Sequence, residues 1–148
     1  MNKNLVCVDA SVVIQWLTDG EFTSQASELL NTWLHQNITL IAPTLLDYEV
    51  TATLRRLVHH EKLTLKEGSQ ALYQYQQIPI ELKQDRQFLD KAFILARQFH
   101  QPTTYDTLYL ALSDEHKCPF WTADKRFLNA VKSKNKRVHC LGTPPTAP

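Results

Sequence analysis

Glycine is scarce here, with three residues in 148. No G-x-G-x-x-G and no P-loop spacing occurs, which removes the usual phosphate-cradling loops, and no G-x-S-x-G elbow marks a serine hydrolase. Cysteine is equally sparse: Cys7, Cys118 and Cys140 are an odd number without C-x-x-C spacing. Cys7 lies in an apolar strand pattern, where a free thiol is a small buried hydrophobe, and the set suits a reducing cytoplasm. Histidine offers no metal motif. His59 and His60 are adjacent and point apart, and neither H-x-x-x-H nor H-x-x-E is present. No run approaches the roughly 18 consecutive apolar residues of a membrane span. After Lys3, only Leu5 to Val8 precede Asp9, too short for a signal-peptide core. A soluble cytoplasmic protein is expected.

Hydrophobic residues make up 43% and charged residues 21%, the balance of an ordinary globular domain. The length suits one domain, expected over residues 1–142, with a disordered proline-rich tail over 143–148. A net charge of +1 gives no global pull toward nucleic acid. Basic residues nevertheless cluster. Lys125, Arg126, Lys132, Lys134, Lys136 and Arg137 occur without an intervening acid, and Arg55, Arg56, His59, His60 and Lys62 form a second group. Both groups fit solvated faces or a phosphate-contacting surface.

Apolar periodicity divides the chain into alternating strands and helices. Strands are expected at Leu5–Val8, Ile38–Ala42 (stopped by Pro43), Ile78–Leu82 at a sheet edge because of Pro79, Phe120–Thr122 and Val138–Leu141. Helices are expected over Ser11–Leu17, from a Thr23 or Ser24 cap to Asn37, and from Thr44 to about His60. Further helices follow from Thr64 with a capping box to Glu67, over Asp85–His100, from Asp106 to about His116, and over Asp124–Val131. Helical crossovers between strands imply an α/β fold with a mainly parallel sheet covered on both sides.

Four acids stand at the edges of apolar segments: Asp9, Glu49, Asp106 and Asp124. Carboxylates brought together repel, and such a cluster normally holds a hard divalent cation. Asp9 follows the first strand and Asp124 the fourth, placing both at the carboxyl rim where ligands of open parallel sheets bind. Asp106 opens the helix feeding the fourth strand, which leaves its rim undecided. Glu49 shares the face of Leu45 and Leu46, costly for a carboxylate without a partner. Each acid also has a plain structural alternative. Asp9, Asp106 and Asp124 precede helices as N-caps would, a role worth about 1 kcal/mol each, and Glu49 has a buried arginine as an alternative partner.

The segments Val8-Asp9-Ala10-Ser11, Glu49 in a helix after Pro43, Tyr105-Asp106-Thr107-Leu108-Tyr109-Leu110-Ala111-Leu112 and Trp121-Thr122-Ala123-Asp124-Lys125-Arg126-Phe127 together resemble the PIN-domain family. The likeness is specifically to the VapC-type toxins of bacterial toxin–antitoxin pairs. It spans residues 5 to about 141. Asp114, where a small apolar residue is more common, and the proline-rich tail are mild departures.

The resemblance implies a three-layer sandwich with a five-stranded, mainly parallel sheet and all four acids on one rim, Asp106 included. It implies Mg²⁺ or Mn²⁺ held by Asp9, Glu49, Asp106 and Asp124, and endoribonuclease activity through metal-activated water. Ser11 and Thr122 then orient a carboxylate or water, with local capping as their alternative. Arg55, Lys125 and Arg126 become candidates for RNA phosphate contacts. The implied partners are an RNA substrate, a homodimer mate and an antitoxin protein covering the site, for which Trp16, Trp33, Tyr73 and Tyr75 are candidate apolar anchors besides their core roles.

The main rival is a non-catalytic RNA- or antitoxin-binding module of the same fold, which loss of an acid would favour; none is lost. A receiver-type switch wants paired acids after the first strand, and a dehalogenase-like phosphatase wants D-x-D where Ser11 stands.

Overall fold

The computed structural model describes residues 1–84 and 86–143. Leu5 to Val8, an uncharged run with two β-branched valines, forms the central strand β1 (Leu5–Val8), buried from Val6 onward. Around it lie β2 (Thr39–Pro43), β3 (Ile80–Lys83), β4 (Phe120–Thr122) and β5 (Val138–Cys140), in the order β3-β2-β1-β4-β5. Every pairing is parallel, and Cys7 of β1 stands opposite Ile41 on one side and Phe120 on the other.

Parallel neighbours need crossovers, and helices supply them. Helices α1 (Ala10–Leu17) and α2 (Thr23–His35) link β1 to β2, while α3 (Leu45–His59) and α4 (Leu65–Gln77) link β2 to β3. A 3₁₀ turn at Arg86–Phe88, α5 (Leu89–Gln98) and α6 (Tyr105–His116) lead to β4, and α7 (Lys125–Val131) leads to β5. Right-handed crossovers put α1 to α4 on one face, where they pack together, and α5 with α6 on the other, α6 lying across β1, β2 and β4. The architecture is α/β, as the alternation of periods predicts. The chain leaves β1 toward β2 and later returns to β1's other side as β4. The winding therefore reverses between β1 and β4, whose carboxyl ends bound the crevice typical of ligand sites.

Helix α6 is the internal anchor. Its residues from Thr107 to Ser113 are all buried, so it is apolar on every side rather than amphipathic. Leu110, Leu112 and Phe120 are among the largest fully buried side chains, each contributing roughly 1.5–3 kcal/mol. Thr107 donates its hydroxyl to the Ala92 carbonyl at 2.8 Å, tying α6 to α5.

Several local expectations are corrected. Thr23 is the first residue of α2, not its cap: its hydroxyl donates to the Thr18 carbonyl and accepts from the Gly20 N–H, closing the preceding turn. As expected, β2 stops at Pro43, which is itself the last paired residue, in register with Lys83. Pro43 closes the strand without an N–H of its own toward β3, because the following Thr44 N–H bonds the Lys83 carbonyl. The Thr64–Glu67 capping box is present, at 3.1 and 2.7 Å. The helix expected from Asp85 begins as a 3₁₀ turn at Arg86, Asp85 itself lying outside the described residues. On α5, Ala92 and Leu95 are buried along with the flanking Phe88 and Phe99, but Leu89, Phe93 and Ile94 are exposed, so its apolar surface is wider than the core uses. Trp33 is buried between Trp16 and Trp121, and Tyr75 is buried with its hydroxyl on Asp47, whereas Tyr73 is exposed. Of the expected tail, Thr143 bonds back to the Cys140 carbonyl, and residues 144–148 lie outside the described residues.

Candidate active site

Asp9 is the first residue after β1 and the N-cap of α1. One carboxylate oxygen, Oδ1, accepts the Ser11 hydroxyl at 2.5 Å and the Val12 N–H at 3.2 Å; Oδ2 accepts the Thr122 hydroxyl at 2.5 Å. Those two hydroxyls are themselves fixed from the β4 side. Ser11 Oγ accepts the Ala123 N–H at 2.8 Å, and Thr122 Oγ1 accepts the Asp124 N–H at 3.0 Å. The loops after β1 and β4 are thus stitched together around one carboxylate. Asp124 caps α7, taking the Phe127 N–H at 3.0 Å.

Asp106 lies at the same rim. A crossover helix runs back against the strands, so the start of α6 stands at their carboxyl ends, and the uncertainty left by the sequence disappears. Asp106 is not an N-cap: Thr104 holds that position and Asp106 is the second helical residue, its carboxylate free of the cap bond. Glu49, half-buried on α3, has no arginine partner. Its Oε1 accepts the Tyr109 hydroxyl at 2.7 Å from α6. Tyr109 is buried and stacked on Phe120 at 5.9 Å, and a buried phenol needs such an acceptor.

Asp9, Glu49, Asp106 and Asp124 line one cleft of about 380 Å³ between α1, α3 and the β4–α7 loop, together with Ser11, Gln15, Thr53 and Arg56. Over residues 6–132 the chain matches the family profile described as the PIN domain. The chain belongs to the PIN-domain family. No curated protein sequence matches it. Among solved structures it is similar to PAE2754 from Pyrobaculum aerophilum, with TM-score 0.69, 18% identity, and coverage of 92% of this chain and 88% of that one. It is also similar to VapC20 of Mycobacterium tuberculosis, described as a sarcin–ricin loop cleaving toxin, with TM-score 0.63, 13% identity, and coverage of 84% and 94%. These likenesses are of fold.

The PIN-domain cleft is electrostatically strained. Burial pushes the Asp9 carboxyl up to about 7, against the lowering effect of its three hydrogen bonds and with a further rise from Asp106. Asp106 is raised to about 6 by burial, then by the charges of Asp124 and Glu49. Glu49 is raised by burial, while Tyr109's hydroxyl bond pulls the other way. Among the described residues, the ion pairs are Lys83–Glu81 and Arg137–Asp114, so no cation is paired with any of the four acids. Asp114, the departure from the family pattern, holds Arg137 at 2.7 Å and Asn135 at 3.1 Å, bracing α6 to the segment before β5.

The basic candidates separate. Arg55 lines an apolar groove between α3 and α4 with Leu54, Val58 and Leu72, on the far side of α3 from the acids. Lys125 and Arg126 are exposed on the first turn of α7 beside Asp124 and do not line the cleft. The sequence reading did not single out Tyr109, and it named Arg56 only as a member of the second basic group. Tyr109 lies three residues after Asp106, and Arg56 seven after Glu49, both helical spacings that put them on the faces of acids already noted.

Proposed function

We propose that this PIN domain is a divalent-cation-dependent endoribonuclease, the toxin of a toxin–antitoxin pair, with Asp9, Glu49, Asp106 and Asp124 as its catalytic and metal-binding residues. The observation that carries the reading is the convergence of four carboxylates on one cleft without a cation paired to any of them. The donor set is all oxygen, which fits Mg²⁺ or Mn²⁺. Among the described residues, no group of three or more acidic, thiol or imidazole side chains is placed to hold a metal ion by itself. An open arrangement is compatible with Mg²⁺, which keeps several waters and binds through one or two carboxylates. When bound, such a cation lowers the pKa of its water and offsets charge on the phosphate under attack.

The chain's own residues supply orientation. A carboxylate offers about four acceptor sites, and three of those on Asp9 are taken by Ser11, Val12 and Thr122, so its rotamer is fixed with one site left. Tyr109 does the same for one oxygen of Glu49. Lys125 and Arg126 flank the rim as candidate phosphate contacts. The VapC20 likeness makes the sarcin–ricin loop a rational first substrate to place beside tRNAs and other structured RNAs. The cognate antitoxin would silence the site by presenting a cation to the acids. The exposed Leu89, Phe93 and Ile94 on α5 favour a homodimer, which Phe93→Glu is expected to convert to monomer in sedimentation velocity. No helix of the described residues is long and apolar enough to cross a membrane, compatible with a cytoplasmic toxin.

The test is cleavage of that RNA panel by wild type and Asp9→Asn with Mg²⁺, Mn²⁺ or EDTA. Discrete cuts that need the cation and fall more than about a hundredfold in the variant are expected, since even ligand-supporting residues cost that much in metal enzymes. Equal cutting by both proteins would remove Asp9 from the mechanism. Binding without cutting would favour the non-catalytic module.

A further inference from the structure

Glu49, Thr53 and Arg56 follow one another at four and three residues along α3, so one helix face presents a carboxylate, a hydroxyl and a guanidinium to the same cleft. Arg56 is exposed, and among the described residues it has no carboxylate partner; its recorded contact is a long 3.5 Å approach to Thr53 Oγ1. An arginine beside four acids, yet paired with none, is available to something else that enters the cleft. Any RNA approaching those acids is repelled by them, and a fixed cation on the same wall offsets that repulsion.

We infer that Arg56 is a substrate-binding residue that holds a backbone phosphate of the RNA next to the one being cleaved. The inference rests on the ribonuclease reading and adds where the strand runs: across α3, over the Glu49–Thr53–Arg56 face. Seven residues of helix separate the Glu49 and Arg56 backbones by about 10 Å along the axis. Helical side chains lean toward the N-terminus, bringing the guanidinium back toward Glu49 while leaving it off the reacting centre. It therefore meets a neighbouring phosphate, not the one attacked. The planar fork of arginine matches two phosphate oxygens at once, which a lysine cannot do. Gln15, one turn beyond Ser11 on the opposite wall, has its Oε1 occupied by the Phe22 N–H at 3.1 Å, so that wall offers only neutral donors.

The adjacent Arg55 provides a matched control, since Arg55→Ala removes the same charge from the same helix but from the α3–α4 groove. Wild type, Arg56→Ala, Arg56→Lys and Arg55→Ala are compared in two ways. Steady-state cleavage gives kcat and KM, and anisotropy of a labelled RNA on metal-free protein across a salt series gives the slope of log affinity against log salt. Arg56→Ala is expected to raise KM about tenfold with kcat little changed, and to reduce the salt slope by about 0.7 to 0.9, one phosphate contact. Arg56→Lys should keep the slope and lose part of the affinity, and Arg55→Ala should follow wild type.

Equal effects from the two alanine variants would overturn the inference, by showing a general charge effect. So would a fall in kcat with KM and slope unchanged, because Arg56 would then act on the acids. If wild type binds RNA without cutting it, the ribonuclease reading fails, and the slope still decides Arg56. If wild type neither binds nor cuts, both fail together.

Discussion

The cleft has two halves built in different ways. Asp9 and Asp124 sit on loops that leave strand ends, and a ring of hydrogen bonds through Ser11 and Thr122 locks them to the sheet. Glu49 and Asp106 project from helices α3 and α6, and the bond recorded across that half is the one from Tyr109 to Glu49. The first half is fixed by the backbone of the fold. The second depends on how two helices on opposite faces of the sheet are packed. Disturbing the strand half should therefore harm stability and activity together, whereas disturbing the helix half should harm activity alone.

The largest combined effect is expected from Thr122→Val. Thr122 is fully buried, and valine keeps its shape while deleting a donor to Asp9 and an acceptor for the Asp124 N–H. The buried Asp9 oxygen and the part-buried Asp124 N–H lose partners, at a cost of about 1–3 kcal/mol in unfolding free energy. The Asp9 carboxyl, which Thr122 holds down, moves further up, so cation affinity falls as well. Denaturant melts and Mg²⁺ titrations read both effects. Unchanged stability would mean that water replaces the hydroxyl and that the strand half is not locked.

Tyr109→Phe is the counterpart in the helix half and is smaller in stability. The ring still stacks on Phe120, and half-buried Glu49 can exchange the lost hydroxyl for water. Unfolding free energy should change by about 1 kcal/mol or less, while activity falls roughly 10- to 100-fold, as for other residues that orient metal-binding groups. A stability loss matching that of Thr122→Val would erase the contrast.

The same division explains what was legible in the sequence. Asp9 and Asp124 could be found because each follows a short apolar run, and the end of a parallel strand is a place in space as well as in the chain. Glu49 stood out as a charge on an apolar face. The fold followed from alternating periods, and the Thr64–Glu67 cap from local spacing. Asp106's rim does not follow from its place at a helix start; it needs the direction of a crossover helix, which runs back against the strands. Which of Arg55 and Arg56 faces the acids turns on about 100° of helical rotation, which depends on how α3 meets α1 and α4. Tyr109 read as one more core aromatic, since only the placement of α3 and α6 on opposite faces of the same sheet rim brings its hydroxyl to Glu49.

The smallest effect is a pH dependence that tests the strand half in the metal-free state. Asp9 is raised from 3.8 to about 7 and Asp106 from 3.8 to about 6, so the folded chain holds these protons more tightly than the unfolded chain does. Stability contributed by the protonated acids is therefore present at low pH and lost as pH rises from about 4 through about 7. His139 acts in the opposite sense. Burial lowers its pKa, so folding favours its neutral form and gains as pH rises past the imidazole range. Comparing wild type with Asp9→Asn separates the two, because His139 is common to both. In EDTA, the melting temperature of Asp9→Asn relative to wild type should increase between pH 5 and pH 8. Saturating Mg²⁺ should shrink that difference by stabilising wild type at pH 8, where a cation takes the place of the lost protons. If the difference stays flat with pH in EDTA, Asp9 is already ionised at pH 5, and the strand half holds its charge without needing a cation.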